Sequence, residues 1–316
     1  MYSFDLNFYY DNRGESCVLV LKNVNKIFHD THAVVDLNLS LQKGEIYGLL
    51  GTNGAGKTTT FRMILGLYEQ TSGEITWDGQ KMNESINDLL GYLPEERALL
   101  QKLTVKTQVS YLAMLKGMAE DKIEKELDAW LEKFNISDYK NKKIKELSKG
   151  NQQKVQFICA VIHNPELIIL DEPFTGLDPI NLEMMKEEII NFKNQGKTII
   201  FSSHRMEHIE TLCDRLTILR KGRTVLQGQL KEIKQSYNAR MILIQGKLDA
   251  DYLKSIPHVV DVTRQQDDWC VRIDHKQHTS TIFNALKPEH SIEKFLVCEP
   301  SLHEIFIEKV GQAYEE

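Results

Sequence analysis

The 316-residue chain has no run of about 18 consecutive apolar residues, so no segment of it reads as a membrane-spanning helix. Met1 to Cys17 shows no basic-then-apolar targeting pattern. Basic residues are not in excess: 39 Lys and Arg stand against 45 Asp and Glu, a net charge of −6 with both signs interspersed. A basic face for nucleic acid is therefore not indicated, and no nucleic-acid partner is expected. Five cysteines (Cys17, Cys159, Cys213, Cys270 and Cys298) are scattered with no C-x-x-C spacing. That excludes a zinc-ribbon pattern and a disulfide framework, and leaves reduced, buried thiols of a cytosolic protein. No long heptad run is present either. What remains is an ordinary composition, 41% hydrophobic and 27% charged, in a chain long enough for two domains.

One stretch carries specific chemistry. Gly51-Thr52-Asn53-Gly54-Ala55-Gly56-Lys57-Thr58 reads G-x-x-x-x-G-K-T. It follows the apolar run Ile46 to Leu50 and precedes a segment of helical character, Thr59 to Leu67. Strand, glycine loop and helix form the context in which this motif cradles phosphates. Glycines let backbone N–H groups converge as an anion nest, and the helix N-terminus adds positive partial charge. Lys57 supplies a point charge for the β- and γ-phosphates, and the Thr58 hydroxyl suits Mg²⁺.

The rest of the chain fits around that loop. Val18 to Leu21 and Val34 to Leu41 read as antiparallel strands, with Phe28 between them, either core or a platform for adenine. Strands are expected at Gly73–Trp77 and Asp88–Leu93. From Thr104 to Phe134 the pattern is helical, with Val109, Leu112, Leu115 and Met118 on one face. Leu147-Ser148-Lys149-Gly150-Asn151 opens a further helix, with Ser148 at the N-cap. Leu167 to Asp171 is a continuous apolar run ending in an acid, the pattern of a buried parallel strand with a carboxylate at its C-terminal edge. Asp171 is placed to hold Mg²⁺, directly or through water, and Glu172 to face an attacking water. Lys197 to Ser203 is a second buried strand, ending at His204. Beyond Gly228 and a polar linker helix, short units follow in the order β-α-β-β-α-β, a small ferredoxin-like domain. Its His275, His278 and His290 read as solvated loop residues, and Ser301 with Glu304 forms a capping box.

These motifs together resemble the ATP-binding subunits of ABC transporters, over roughly Val18 to Lys234. Gly51 to Thr58 resembles Walker A, Leu167 to Asp171 Walker B, and Leu147 to Asn151 the signature LSGGQ, here LSKGN. Phe28 falls at the A-loop aromatic, Glu172 at the catalytic glutamate, Gly176-Leu177-Asp178 at the D-loop and His204 at the switch histidine. Glu95 stands where the family has the Q-loop glutamine. The altered signature and Q-loop, the C-terminal domain and Glu299 to Phe306 resemble the NatA-like branch of sodium and drug exporters.

The resemblance implies an α/β fold: a P-loop NTPase cassette with a mixed sheet core, an antiparallel β subdomain and a helical subdomain at about 95–160. A small α+β domain follows at 235–316, and residues 1–17 stand apart as an extension. Asn12 to Glu15 and Val18 are compatible with a ribosome-binding sequence and a GTG start, which would make those first residues untranslated leader. Implied too are ATP and Mg²⁺ as cofactors, and an ATPase whose catalytic residues are Glu172, His204 and Lys57. Nucleotide contacts would come from Phe28, Gly51 to Thr59, Glu95, Ser148, Gly150, Asn151 and Asp178; metal contacts from Thr58, Glu95 and Asp171. Partners would be a separate membrane permease and a second ATP-binding subunit, as a homodimer, at the cytoplasmic face of the membrane. Ala98-Leu99-Leu100 would help receive the permease. The alternatives are a soluble ABC ATPase of translation or DNA repair, which would carry tandem cassettes or a coiled coil, and a P-loop kinase or GTPase. For the last, Asn141-Lys142-Lys143 fails to complete a guanine-reading N-K-x-D.

Overall fold

The structure is a computed structural model, and it describes residues 17–82, 84–237 and 240–312. Of the proposed leader at 1–17, residues 1–16 lie outside them, and Cys17 stands in a strand, paired with Gln42. In chain order the first unit comprises β1 (Cys17–Phe28), β2 (Thr31–Gln42), β3 (Ile46–Gly51), α1 (Lys57–Ile64), β4 (Ser72–Trp77), β5 (Gln80–Lys81) and β6 (Leu90–Leu93). There follow α2 (Val105–Leu115), α3 (Glu120–Lys133), α4 (Lys149–Val161), β7 (Leu167–Asp171), α5 (Pro179–Asn194), β8 (Thr198–Ser203), α6 (Met206–Leu212), β9 (Arg215–Arg220) and β10 (Arg223–Gln229). The second unit comprises α7 (Leu230–Ser236), β11 (Arg240–Gln245), α8 (Ala250–Ser255), β12 (Val259–Gln265), β13 (Asp268–Ile273), α9 (Thr279–Ala285), β14 (Lys294–Cys298) and α10 (Leu302–Gln312).

Two sheets build the first unit. One is ordered β2-β1-β4-β5, the other β10-β9-β3-β8-β7-β6. In the second, β9, β3, β8, β7 and β6 are parallel. Every residue of β3, β7 and β8 is buried, as their unbroken apolar runs require of a sheet covered on both faces. β10 joins through the two-residue turn Lys221-Gly222, both at positive φ, the geometry that matches strand twist. One apolar cluster connects Leu37 and Leu39 of β2, Phe61 and Ile64 of α1, and Leu49, Leu167 and Ile200 of the parallel strands.

The helical segment departs from the sequence reading at α2. Val105, Val109 and Ala113 are its buried apolar residues, whereas Leu115 is 63% exposed and Tyr111 50%. The apolar stripe is wider than the face that packs on α3 and α4, so Leu115 is left out of the core. α3 buries Ile123, Leu127 and Leu131 at a four-residue spacing, as one helix face demands.

The chain divides after Gln227, near the end of β10, rather than after Lys234. The helix read as a linker, α7, belongs to the second unit, and it buries Leu230 and Ile233 where a solvated linker would not. That unit's sheet has the order β12-β13-β11-β14, all antiparallel, the split β-α-β topology expected from the element order. Ile242, Val271 and Ile273 form its core with Leu253 of α8 and Ile282 of α9. The capping box is present: Ser301 N–H donates to Glu304 Oε2 at 2.7 Å, and Glu304 N–H to Ser301 Oγ at 3.2 Å.

Gly91 of β6 marks the closest approach of α4 to the sheet. A Cβ there would stand 2.3 Å from Ala160 O and 2.8 Å from Pro165 Cγ. Gly91→Ala should therefore cost about 1–3 kcal/mol through overpacking. A lower urea midpoint with an unchanged slope is the expected result.

Candidate active site

The glycine loop leaves β3 at the C-terminal edge of the parallel sheet. Gly56 adopts φ 105°, and a Cβ there would lie 2.5 Å from Ala33 O, so only glycine fits between the loop and the start of β2. Lys57 begins α1, and Nζ donates to Gly51 O at 2.7 Å and Thr52 O at 3.3 Å. The ammonium is thus held against the loop that it closes. A cavity of about 560 Å³ lies over it, lined by Asn53 to Thr59, Thr31, His32, Ala33, Glu95 and Lys221. Backbone amides, a helix N-terminus and the Lys57 ammonium converge there, a site built for phosphate.

β7 delivers the acids, and β8 the side chains beside them. Their register pairs Asp171 with Ser202. Ser202 Oγ donates to Asp171 Oδ1 at 2.5 Å and accepts from Glu172 N–H at 3.0 Å. Asp171 is fully buried, and its Oδ2 has no hydrogen-bond partner among the described residues. Glu172 takes φ 51°, a left-handed conformation that non-glycine residues adopt at a cost of about 1–3 kcal/mol. The turn carries its carboxylate away from Asp171: Oε2 lies 2.9 Å from His204 Nδ1, and Oε1 3.8 Å from Lys57 Nζ. Burial pushes the Glu172 carboxyl above the usual carboxylate range, and the hydrogen bond and charge of His204, with Lys57, pull it back only in part. A carboxylate adjusted upward in a cleft is suited to general-base work.

Oxygen donors suit Mg²⁺, and the residues present fit that ion. Thr58 and Glu95 line the loop cavity, and the buried Asp171 Oδ2 is a polar atom that no described residue satisfies.

Lys57, Asp171, Glu172 and His204 are brought together with the whole loop. Other expected residues stand elsewhere. Phe28 packs edge-on against Tyr68 at 5.3 Å between centroids, with Lys26 Nζ 4.8 Å from its ring centre; the residues of this hairpin that line the cavity are Thr31 to Ala33. Ser148 caps α4, accepting from Asn151 N–H at 3.3 Å. Gly150 is nearest Gly176 O and Asn181, so the signature segment and the D-loop lie side by side. Asp178 caps α5 through Asn181 N–H at 3.0 Å. Three residues were missed by sequence reading. Besides Ser202, Gln156 Nε2 of α4 donates to Pro94 O at 2.8 Å and Glu96 O at 3.1 Å, clamping the turn that carries Glu95. Gln153 Nε2 donates to Pro173 O at 2.9 Å, behind Glu172. A pair of glutamines three apart in a largely buried helix was the available signal.

Comparison with known proteins agrees with this geometry. Residues 34–175 match the family model described as ABC transporter, and residues 228–310 match the C-terminal domain of the ATP-binding protein DrrA1-3-like family. YhaQ of Bacillus subtilis, an uncharacterized ABC transporter ATP-binding protein, is 52% identical over 298 residues, 94% of this chain and all of that one. The chain belongs to the ABC transporter ATP-binding proteins. LnrL of the same bacterium, a linearmycin resistance ATP-binding protein, is 30% identical over 93% of this chain and 99% of its own. A solved dimeric structure of a bacterial ABC transporter cassette superposes with a TM-score of 0.63 at 25% identity, covering 67% of this chain and 98% of that one. This ABC ATP-binding protein is therefore an ATPase subunit for transport. Neither a soluble ABC ATPase of translation or repair nor a P-loop kinase or GTPase fits. The DrrA-like C-terminal match also agrees with the NatA-like branch.

Ser202 acts on both acids at once, so Ser202→Ala should lower ATPase kcat about 10–100-fold, the usual cost of losing an orienting partner, with the fold intact by circular dichroism. His204→Ala removes the hydrogen bond that holds Glu172 down. Its carboxyl then rises further, and the acid limb of the kcat/KM profile should move to higher pH. An unmoved limb would contradict the His204–Glu172 coupling.

Proposed function

We propose that this chain powers an exporter by hydrolysing ATP between two copies of itself. The observation that carries the reading is the Glu172 carboxylate, held between His204 at 2.9 Å and Lys57 at 3.8 Å at the mouth of the phosphate loop. In this reading Glu172 accepts the proton of the attacking water, His204 orients Glu172 and reaches the γ-phosphate, and Lys57 offsets charge on the transferring group. Thr58, Asp171 and Glu95 would hold Mg²⁺, which supplies charge neutralisation across the phosphates when bound. The loop binds phosphate through the amides of Gly51 to Thr59, and Phe28 is assigned to the adenine by resemblance.

The other half of each site would come from Ser148, Gly150, Asn151 and Asp178 of a second copy. These residues gather around α4 and α5 rather than on the loop of their own chain, and Ser148 and Lys149 are exposed. The dimeric state of the related cassette supports the same arrangement. Closure needs differential binding: about 5.5 kcal/mol moves a pair from 1:99 to 99:1, and contacts made only in the closed dimer supply it.

No helix among the described residues is long and apolar enough to cross a membrane; in this reading a separate permease carries the cargo, with this chain at the cytoplasmic face. A groove of about 1070 Å³ suits that partner. It is lined by the exposed Leu67, Leu100, Tyr111 and Leu115, with Leu112 and the turn at Pro94 to Leu99. Of the expected Ala98-Leu99-Leu100 patch, Leu99 is buried and Leu100 is 54% exposed. Export is supported by the branch to which the C-terminal domain belongs and by the resistance role in the name of LnrL.

Glu172→Gln should retain ATP binding, lose most turnover (a positioned base is worth about 10²–10⁴-fold) and accumulate as an ATP-bound dimer on size exclusion. Lys57→Ala should lose binding and turnover together. Full turnover by Glu172→Gln at saturating ATP would remove Glu172 from the role.

A further inference from the structure

The C-terminal unit brings together three side chains that its sequence keeps apart. His258 stands in the turn between α8 and β12, Asp274 directly follows β13, and His278 ends the short turn of 3₁₀ helix before α9. Strand pairing fixes two of these positions. Val259 is opposite Ile273, and Asp274 N–H donates to His258 O at 3.2 Å. His278 follows Asp274 by four residues. The side chains then meet: His258 Nδ1 lies 3.1 Å from Asp274 Oδ2, and His278 Nδ1 2.6 Å from Asp274 Oδ1. The two imidazoles stack with centroids 3.5 Å apart and planes 19° from parallel. One ligand atom from each residue lies within 4.8 Å of the others.

We propose that His258, Asp274 and His278 form a binding site for a divalent transition ion of the Zn²⁺ type, remote in sequence from the nucleotide loop and independent of its chemistry. Two features favour this over a plain ion pair. First, a carboxylate needs one cation, yet Asp274 gives each oxygen to a different imidazole. Second, the cluster opens to solvent, with side chains 41%, 45% and 23% exposed, so an ion can enter. Two imidazoles and one carboxylate select Zn²⁺, Co²⁺ or Ni²⁺ over Mg²⁺ and Ca²⁺, which prefer oxygen alone. Bonds to such an ion are about 2.0–2.2 Å, so the three donors need only small side-chain rotations to share one. Each ligating nitrogen gives a lone pair; a proton that it shared with Asp274 moves to the other ring nitrogen or to solvent. The remaining coordination position is left for water. His275 provides an internal control. Its Nδ1 accepts from Gln277 N–H at 3.2 Å, and its ring centre is 6.0 Å from that of His278.

The full chain, stripped with chelator and kept in excess Mg²⁺ without nucleotide, is titrated with Zn²⁺ by calorimetry and with Co²⁺ by visible absorption. One ion per chain is expected at this site, with a Co²⁺ spectrum of nitrogen and oxygen ligation. His278→Gln and His258→Asn should each weaken binding by at least about tenfold, a ligand counting for no less than an orienting partner; asparagine tolerates the left-handed φ of 72° at position 258. His275→Gln should bind as the parent does. Absence of binding by the parent would overturn the proposal, as would an affinity and spectrum unchanged in both variants. If either variant melts differently from the parent without metal, the parent's own histidine Cε1–H resonances decide. His258 and His278 must shift with Zn²⁺ while His275 does not, and any other pattern refutes the site.

Discussion

A single hydroxyl holds the acidic edge of the parallel sheet together. Ser202 is paired with Asp171 in the parallel sheet, donates to one acid and accepts from the backbone of the next. Asp171 and Glu172 are consecutive carboxylates in a buried setting, where like charges repel strongly. The left-handed turn at Glu172 separates them, and Ser202 holds that turn from both sides. Asp171 then keeps one oxygen turned from the serine, while Glu172 reaches Lys57 and His204. Every assigned role for these four side chains depends on β7 and β8 lying next to each other in register.

The same sheet explains why the phosphate loop and the signature segment emerge from different layers of the chain. β3, β7 and β8 are buried throughout, and being parallel they present their C-terminal ends at one edge. The loop, both acids and His204 all emerge there. The signature segment belongs to another layer: it opens α4, and its neighbour is the D-loop, which opens α5. Two helix N-termini lie there side by side, one capped by the exposed Ser148 and the other by the Asp178 carboxylate.

Much of this was legible because it is local. G-x-x-x-x-G-K-T, an apolar run ending in Asp-Glu, and a strand ending in histidine each combine residue type with an element that fixes its direction. The β-α-β-β-α-β order of the second unit was equally local and emerged with its sheet order intact. What escaped is non-local. Ser202 looks like any strand serine until its neighbour strand is known. Gln156 acts on the Glu95 turn, 60 residues away from Glu96 in sequence. His278 reads as a solvated loop histidine until strand pairing sets Asp274 beside His258. At α2 the error was of another kind: apolar periodicity marks a face that prefers to be covered, without saying that its own chain does the covering.

That distinction bears on how the nucleotide site reaches the groove. Glu95 and Thr58 line both the phosphate cavity and the apolar groove. The turn carrying Glu95 is held from behind by Gln156, which fixes its carbonyls and leaves the Glu95 side chain exposed between the two. An element with one end at the phosphates and its backbone in the wall of the groove can transmit a sub-ångström shift, provided that its two positions are packed alternatives. A carboxylate at this point sharpens the dependence on charge. Beside bare phosphates a carboxylate is repelled, and beside a cation it is drawn in, which a neutral side chain would not be.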